Sequence, residues 1–204
     1  MKRSRTLTVL VLGLCVVVLL TACGSSSSGS PTSQPTVAKS KPSALPKVTV
    51  AFCQNIMTVA QSNTIMNPAT PATAIRVDSP ASGGGSCNYE YALFKGNVSV
   101  VFVSVVPTGT SIVDNINRAL APEKQQGAKI TTTPVSNVGD QAVFAVASTT
   151  LAGQPYKIDA LDIIYGSVFW DVNAIHLGAD VAATSDSAQL AAFTQIAQIF
   201  TGKF

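Results

Sequence analysis

Two strand-like runs, residues 156–165 and 168–175, are separated by only Gly166 and Ser167. A two-residue loop with glycine first closes an antiparallel hairpin, because its backbone twist matches that of the strands it joins. The turn also sets the pairing. Asp162 falls opposite Asp171, while Leu161 and Ile163 neighbour Val172 and Trp170. Side chains alternate between faces along a strand, so Ile164 and Phe169 lie on the face opposite Ile163 and Trp170.

The rest of the carboxy-terminal part is read around this hairpin. A first helix is expected near Ala51 to Asn63, with Phe52, Ile56 and Val59 or Ala60 on one face. Asn67-Pro68 and the Gly83-Gly84-Gly85 run mark a loop. Strands are expected at Asn88–Phe94 and Val98–Val106, turning at Lys95-Gly96-Asn97. Ser111 is placed to cap a second helix bearing Ile112, Ile116, Ala119 and Leu120. Val138-Gly139-Asp140 opens a further strand to Val146, and residues 148–155 read as a loop. Ser185 caps a last helix with an apolar stripe of Leu190, Phe193, Ile196, Ala197 and Phe200, ended by Gly202. The expected class is α+β, in the order α-β-β-α-β-β-β-α. About five antiparallel strands carry helices on one face, since hairpins rather than crossovers join them.

Upstream, the chain has another character. Lys2, Arg3 and Arg5 precede an apolar run from Leu7 to Leu20. At about 14 residues that run falls short of the roughly 20 a spanning helix needs, and it suits the core of a secretory signal. It ends in Leu20-Thr21-Ala22-Cys23, followed by Gly24. This resembles the bacterial lipobox: an aliphatic residue, two small ones and a cysteine. The resemblance implies that the Cys23 sulfur is acylated and that cleavage before it removes residues 1–22. Two or more acyl chains suffice for stable attachment to a membrane. The competing possibility is an uncleaved signal anchor with Cys23 a free thiol. Residues 23–47, the lipidated cysteine and a stretch with eight Ser and four Pro, read as a disordered tether. As a flexible coil it would span about 27 Å.

This leaves residues 48–204 as one domain of 157 residues. Of the thirteen basic residues, three lie in the signal and three in the tether. The domain therefore holds seven basic and ten acidic groups, a net charge of −3. An acidic domain offers no basic surface for nucleic acid. Cys53 and Cys87 are its only thiols, and an even pair in an exported protein reads as a disulfide. Closing a loop of that length contributes roughly 3–4 kcal/mol on the chain-entropy picture. A two-thiol redox or metal site is the alternative, with neither a C-x-x-C spacing nor a second histidine behind it.

Cys87-Asn88-Tyr89 after a Gly-rich loop, a cysteine at the start of the first helix, and Val-Gly-Asp-x-Ala-Val-Phe at 138–144 resemble small secreted actinobacterial lipoproteins of unknown function. The resemblance implies a disulfide-stapled α+β domain outside the membrane, with no established catalytic residues to carry over; no metal or cofactor is expected. Tyr89 stands where such proteins often carry Trp.

Three constellations could carry chemistry. His176, the single histidine, sits at a strand end and could serve a serine nucleophile as base, but no G-x-S-x-G elbow accompanies it. Asp162 and Asp171 could form a cation site or an acid pair of the glycosidase kind. Ile164 and Phe169 make the hairpin's second face apolar, so that face requires a cover, a partner or a ligand. The expected function is a membrane-anchored, extracytoplasmic, non-enzymatic module. It would bind an apolar ligand or an envelope protein; the rival is a cell-envelope hydrolase working through carboxylates.

Overall fold

The hairpin at Gly166 and Ser167 forms as expected in the computed structural model, which describes residues 40–68, 71–79, 84–90, 98–105 (backbone only) and 111–203. Along these residues the chain forms α1 (Val50–Ile56), α2 (Val59–Met66), β1 (Ala74–Asp78), β2 (Gly85–Glu90) and β3 (Val98–Val105). It continues through α3 (Ile112–Ala119), α4 (Ala121–Gln125), β4 (Lys129–Pro134), β5 (Gln141–Leu151) and β6 (Gln154–Tyr165). β7 (Val168–Leu177), α5 (Ala179–Ala183) and α6 (Asp186–Thr201) complete it. The strands make one sheet of order β1-β2-β3-β7-β6-β5-β4, and every neighbouring pair is antiparallel. The α+β class holds.

The element count does not. The described sheet has seven strands rather than about five, and the order is α-α-β-β-β-α-α-β-β-β-β-α-α. The two unexpected strands, β1 and β4, are the sheet's edges. They bury little, which leaves their sequences without a long apolar run. Residues 148–155 are not a loop: β5 and β6 run on and turn at Ala152 and Gly153, whose φ angles are 48° and 79°. Two consecutive positive φ values favour Asn-Gly or Gly-Gly, so Ala152 hid the turn. The single first helix is broken at Met57 and Thr58. Thr58 Oγ1 accepts from the Gln61 amide at 3.2 Å while Gln61 Oε1 accepts from the Thr58 amide at 2.9 Å. That reciprocal pair starts a new helix. The expected turn at 95–97 lies outside the described residues.

The second correction concerns layers. Helices cover both faces of the sheet, not one. On one face, α1, α2 and α6 enclose the main core, with Leu161, Ile163, Trp170, Val172 and Phe193 all sealed. Trp170 stacks on Phe200 with ring centroids 5.5 Å apart. On the other face, Ile112, Ile116 and Leu120 of the α3 turns bury Val143, Ala145, Ala147, Ile164 and Phe169. Residues 142–147 of β5 are buried on both faces, which is why they read as a continuous apolar run.

The chain enters the fold earlier than the boundary at 48. Residues 40–47, expected in the tether, are described and packed. The Pro42 carbonyl accepts from the Ser167 amide at 2.9 Å, and Lys47 bridges to Gly84. Lys41 pairs with Asp140, whose other oxygen accepts from the Gly166 amide at 2.8 Å. Gly166 has φ 61°, and a Cβ there would come within 2.4 Å of the Pro42 carbonyl oxygen. Glycine is thus required both for the turn and for the strap lying over it.

Candidate functional site

The β6–β7 hairpin aligns as its turn dictates: Asp162 pairs with Asp171, Leu161 with Val172, Ile163 with Trp170 and Ile164 with Phe169. The carboxylate pair therefore exists. It lies on the face that carries α3, beside Ile116 and Leu120 of that helix's turns. Asp162 is buried, and both acids line a cleft of about 220 Å³ with Ile116, Leu120, Ile158 and Ile175.

Burial first, and the Asp171 charge second, push the Asp162 carboxyl up to about 8. Burial also lifts Asp171, to about 7, against the opposing effect of a hydrogen bond donated by the Asn173 amide. Two carboxyl groups facing one another in a poorly solvated cleft resist ionising together. The pair consequently resists full ionisation near neutral pH.

Ile164 and Phe169 do not form a binding surface. They are 6% and 5% exposed beneath α3. The cover that an apolar second face demands is supplied by the chain itself, through the stripe Ile112, Ile116 and Leu120. That stripe was legible as a helix; which face it would seal was not.

A second cluster lies on the opposite face, at the far end of the hairpin. Lys157 Nζ sits 3.0 Å from Asp159 Oδ2 and 2.9 Å from Asp186 Oδ1, and donates to the Thr184 carbonyl at 3.1 Å. His176 Nε2 approaches the same Asp159 oxygen at 3.1 Å, without the alignment of a hydrogen bond. Asp159 is completely buried and Lys157 and His176 nearly so. Burial pulls the Lys157 ammonium down, but Asp186 and Asp159 outweigh it and hold the group above its usual range. The sequence reading singled out His176 and missed Asp159 and Lys157. Alternation with Leu161 and Ile163 placed them on the core face, a position charged residues take only when paired.

His176 lines a larger cleft of about 500 Å³ with Met66, Asp180, Thr184, Ser185 and Gln189. The proximity of Asp159, His176 and Ser185 resembles the parts of a hydrolytic triad only superficially. The Asp159 charge is matched by Lys157, and the Ser185 hydroxyl accepts from the Ala188 amide at 3.2 Å as the cap of α6. The cleft lies towards the end of the hairpin remote from the Gly166 turn, and it is over that turn that Pro42 packs.

Cys53 and Cys87 are bonded, which joins α1 to β2. The Tyr89 hydroxyl donates to the Met57 carbonyl at 2.8 Å alongside them. Cys23 lies outside the described residues. Among the described residues no group of three or more His, Cys, Asp or Glu side chains is placed to hold a metal, and no helix is long and apolar enough to cross a membrane. No protein-family model, curated protein or solved structure matches the chain.

Proposed function

We propose that the protein is a lipoprotein of the actinobacterial secreted type, anchored at Cys23 to the outer face of the cell membrane, whose domain is a non-enzymatic binding module. The disulfide between Cys53 and Cys87 carries the extracytoplasmic assignment, because such bonds persist in oxidising compartments. The signal-like segment ending in Leu20-Thr21-Ala22-Cys23 supports the anchor. Two clefts on a rigid sheet, each walled by apolar side chains with a few polar groups, support binding of a small ligand.

Expression of the full chain in a bacterium that processes lipoproteins tests the anchor. Mass spectrometry of the mature protein is expected to find an acylated amino-terminal Cys23, and Cys23→Ser is expected to leave the membrane fraction. An unmodified Met1 terminus overturns the anchor.

The opposition of Asp162 and Asp171 favours one other reading, an envelope hydrolase. Glycoside hydrolysis needs one protonated and one ionised carboxyl group. Here both are pushed up, so neutral pH supplies no firmly ionised partner, and binding is the stronger reading. Turnover of cell-wall glycan by the protein, abolished in Asp162→Asn/Asp171→Asn, would reverse that preference.

A further inference from the structure

The smaller cleft has a composition that selects among ligands. Its polar floor is two carboxyl groups facing across the β6–β7 pair, and its walls are branched aliphatic side chains from three directions. One of these, Ile175, is 47% exposed and pairs across the strands with Ile158. The remaining charged group lining the cleft is Glu123, again an acid. Among the described residues no lysine, arginine or histidine lines it. Among the described residues Asp162 receives no hydrogen bond that would hold its charge, whereas Asp171 receives one from Asn173.

We propose that this cleft binds a small organic ammonium ion, with the cationic nitrogen between Asp162 and Asp171 and a short alkyl body against Ile116, Leu120, Ile158 and Ile175. An ammonium group supplies hydrogen-bond donors to two acids that otherwise oppose each other, and its charge removes their mutual repulsion. The apolar walls have no use for a hydrated metal ion. Calcium takes six to eight oxygen ligands, while Asn173 presents its amide nitrogen to Asp171. An anionic ligand would meet Asp162, Asp171 and Glu123 with no cation among the described lining residues. The volume of about 220 Å³ suits a few carbons beyond the nitrogen.

This inference rests on the binding reading and names its ligand class; it is independent of the anchor at Cys23. Titration calorimetry and thermal unfolding of the full-length chain in detergent test it, with n-butylammonium chloride as probe. n-Butanol and calcium chloride serve as matched arms, each at pH 6 and pH 8. The expected result is binding of n-butylammonium with a rise in Tm, at least about tenfold tighter at pH 8, because the ligand competes with protons for the same carboxyl groups. Asp162→Asn/Asp171→Asn preserves volume and removes the charges, so it is expected to stay folded and to lose at least about tenfold in affinity. Ile175→Trp alters a half-exposed position, leaves the fold intact and is expected to block the cleft. No binding of n-butylammonium, equal binding of n-butanol, an equal response to calcium, or affinity kept in the double variant would each overturn the proposal. Loss of the site would leave the lipid modification of Cys23 unaffected, so the two failures are distinguishable.

Discussion

The two faces of the β6–β7 hairpin carry the same alternation of side chains and reach opposite outcomes. On the face under α1, α2 and α6, Leu161, Ile163, Trp170 and Val172 are sealed. The buried charges at the end of that face, Lys157 and Asp159, compensate each other at 3.0 Å. On the face under α3, the eight-residue helix covers Ile164 and Phe169 and its Ile116 lines the cleft where Asp162 and Asp171 face each other with no cation among the described lining residues. Opposite charges brought together in a dry place stabilise each other, and like charges shed their ionisation instead. The first arrangement is structural, and the second is the basis of the proposed binding role.

The contrast can be broken most sharply on the sealed face. Trp170→Ala is expected to cost about 3–5 kcal/mol, since it leaves a large void against Phe200. Urea unfolding measures this directly, and a loss below about 1 kcal/mol would mean that face is not close-packed. Removing the disulfide with Cys53→Ala/Cys87→Ala is expected to cost roughly 3–4 kcal/mol by releasing the enclosed loop in the unfolded chain. The same unfolding curves under oxidising and reducing conditions check it.

On the acid-lined face the test is pH. Asp162 and Asp171 hold their protons to about 8 and about 7 in the fold, against 3.8 for an ordinary Asp. Their contribution to stability is therefore full below about pH 4 and is lost as pH rises through 7 and 8. Asp140, held below its usual range chiefly by Lys41, is ionised throughout this upper range and adds no slope. Tm is expected to fall between pH 5 and pH 8.5, and the fall is expected to shrink in Asp162→Asn/Asp171→Asn. A wild-type Tm that is flat over that range would show the pair to be solvated. The smallest effect belongs to Ile175→Thr. A half-exposed residue outside the packed clusters is expected to change stability by no more than about 0.5 kcal/mol. A larger loss would mean that the open half of this face is covered.

Local chemistry made much of the fold legible. The Gly166-Ser167 turn gave the pairing of Asp162 with Asp171, and Ser185 with the Leu190–Phe200 stripe gave α6. The edge strands β1 and β4 escaped because a strand that is paired on one side and half-solvated needs no distinctive apolar pattern. Asp159 and Lys157 escaped as partners of His176 because their meeting depends on cross-strand register and on Asp186 arriving from α6.

By itself the sequence determined the α+β class, the hairpin and its register, the helix-capping serine Ser185 and the even pair of domain cysteines. Each depends on neighbouring residues or on a count. Only the tertiary structure decided that α3 seals Ile164 and Phe169, that the chain is strapped to the Gly166 turn from Lys41 onward, and that two aspartates share a cleft. Each of these depends on packing between segments remote in the chain.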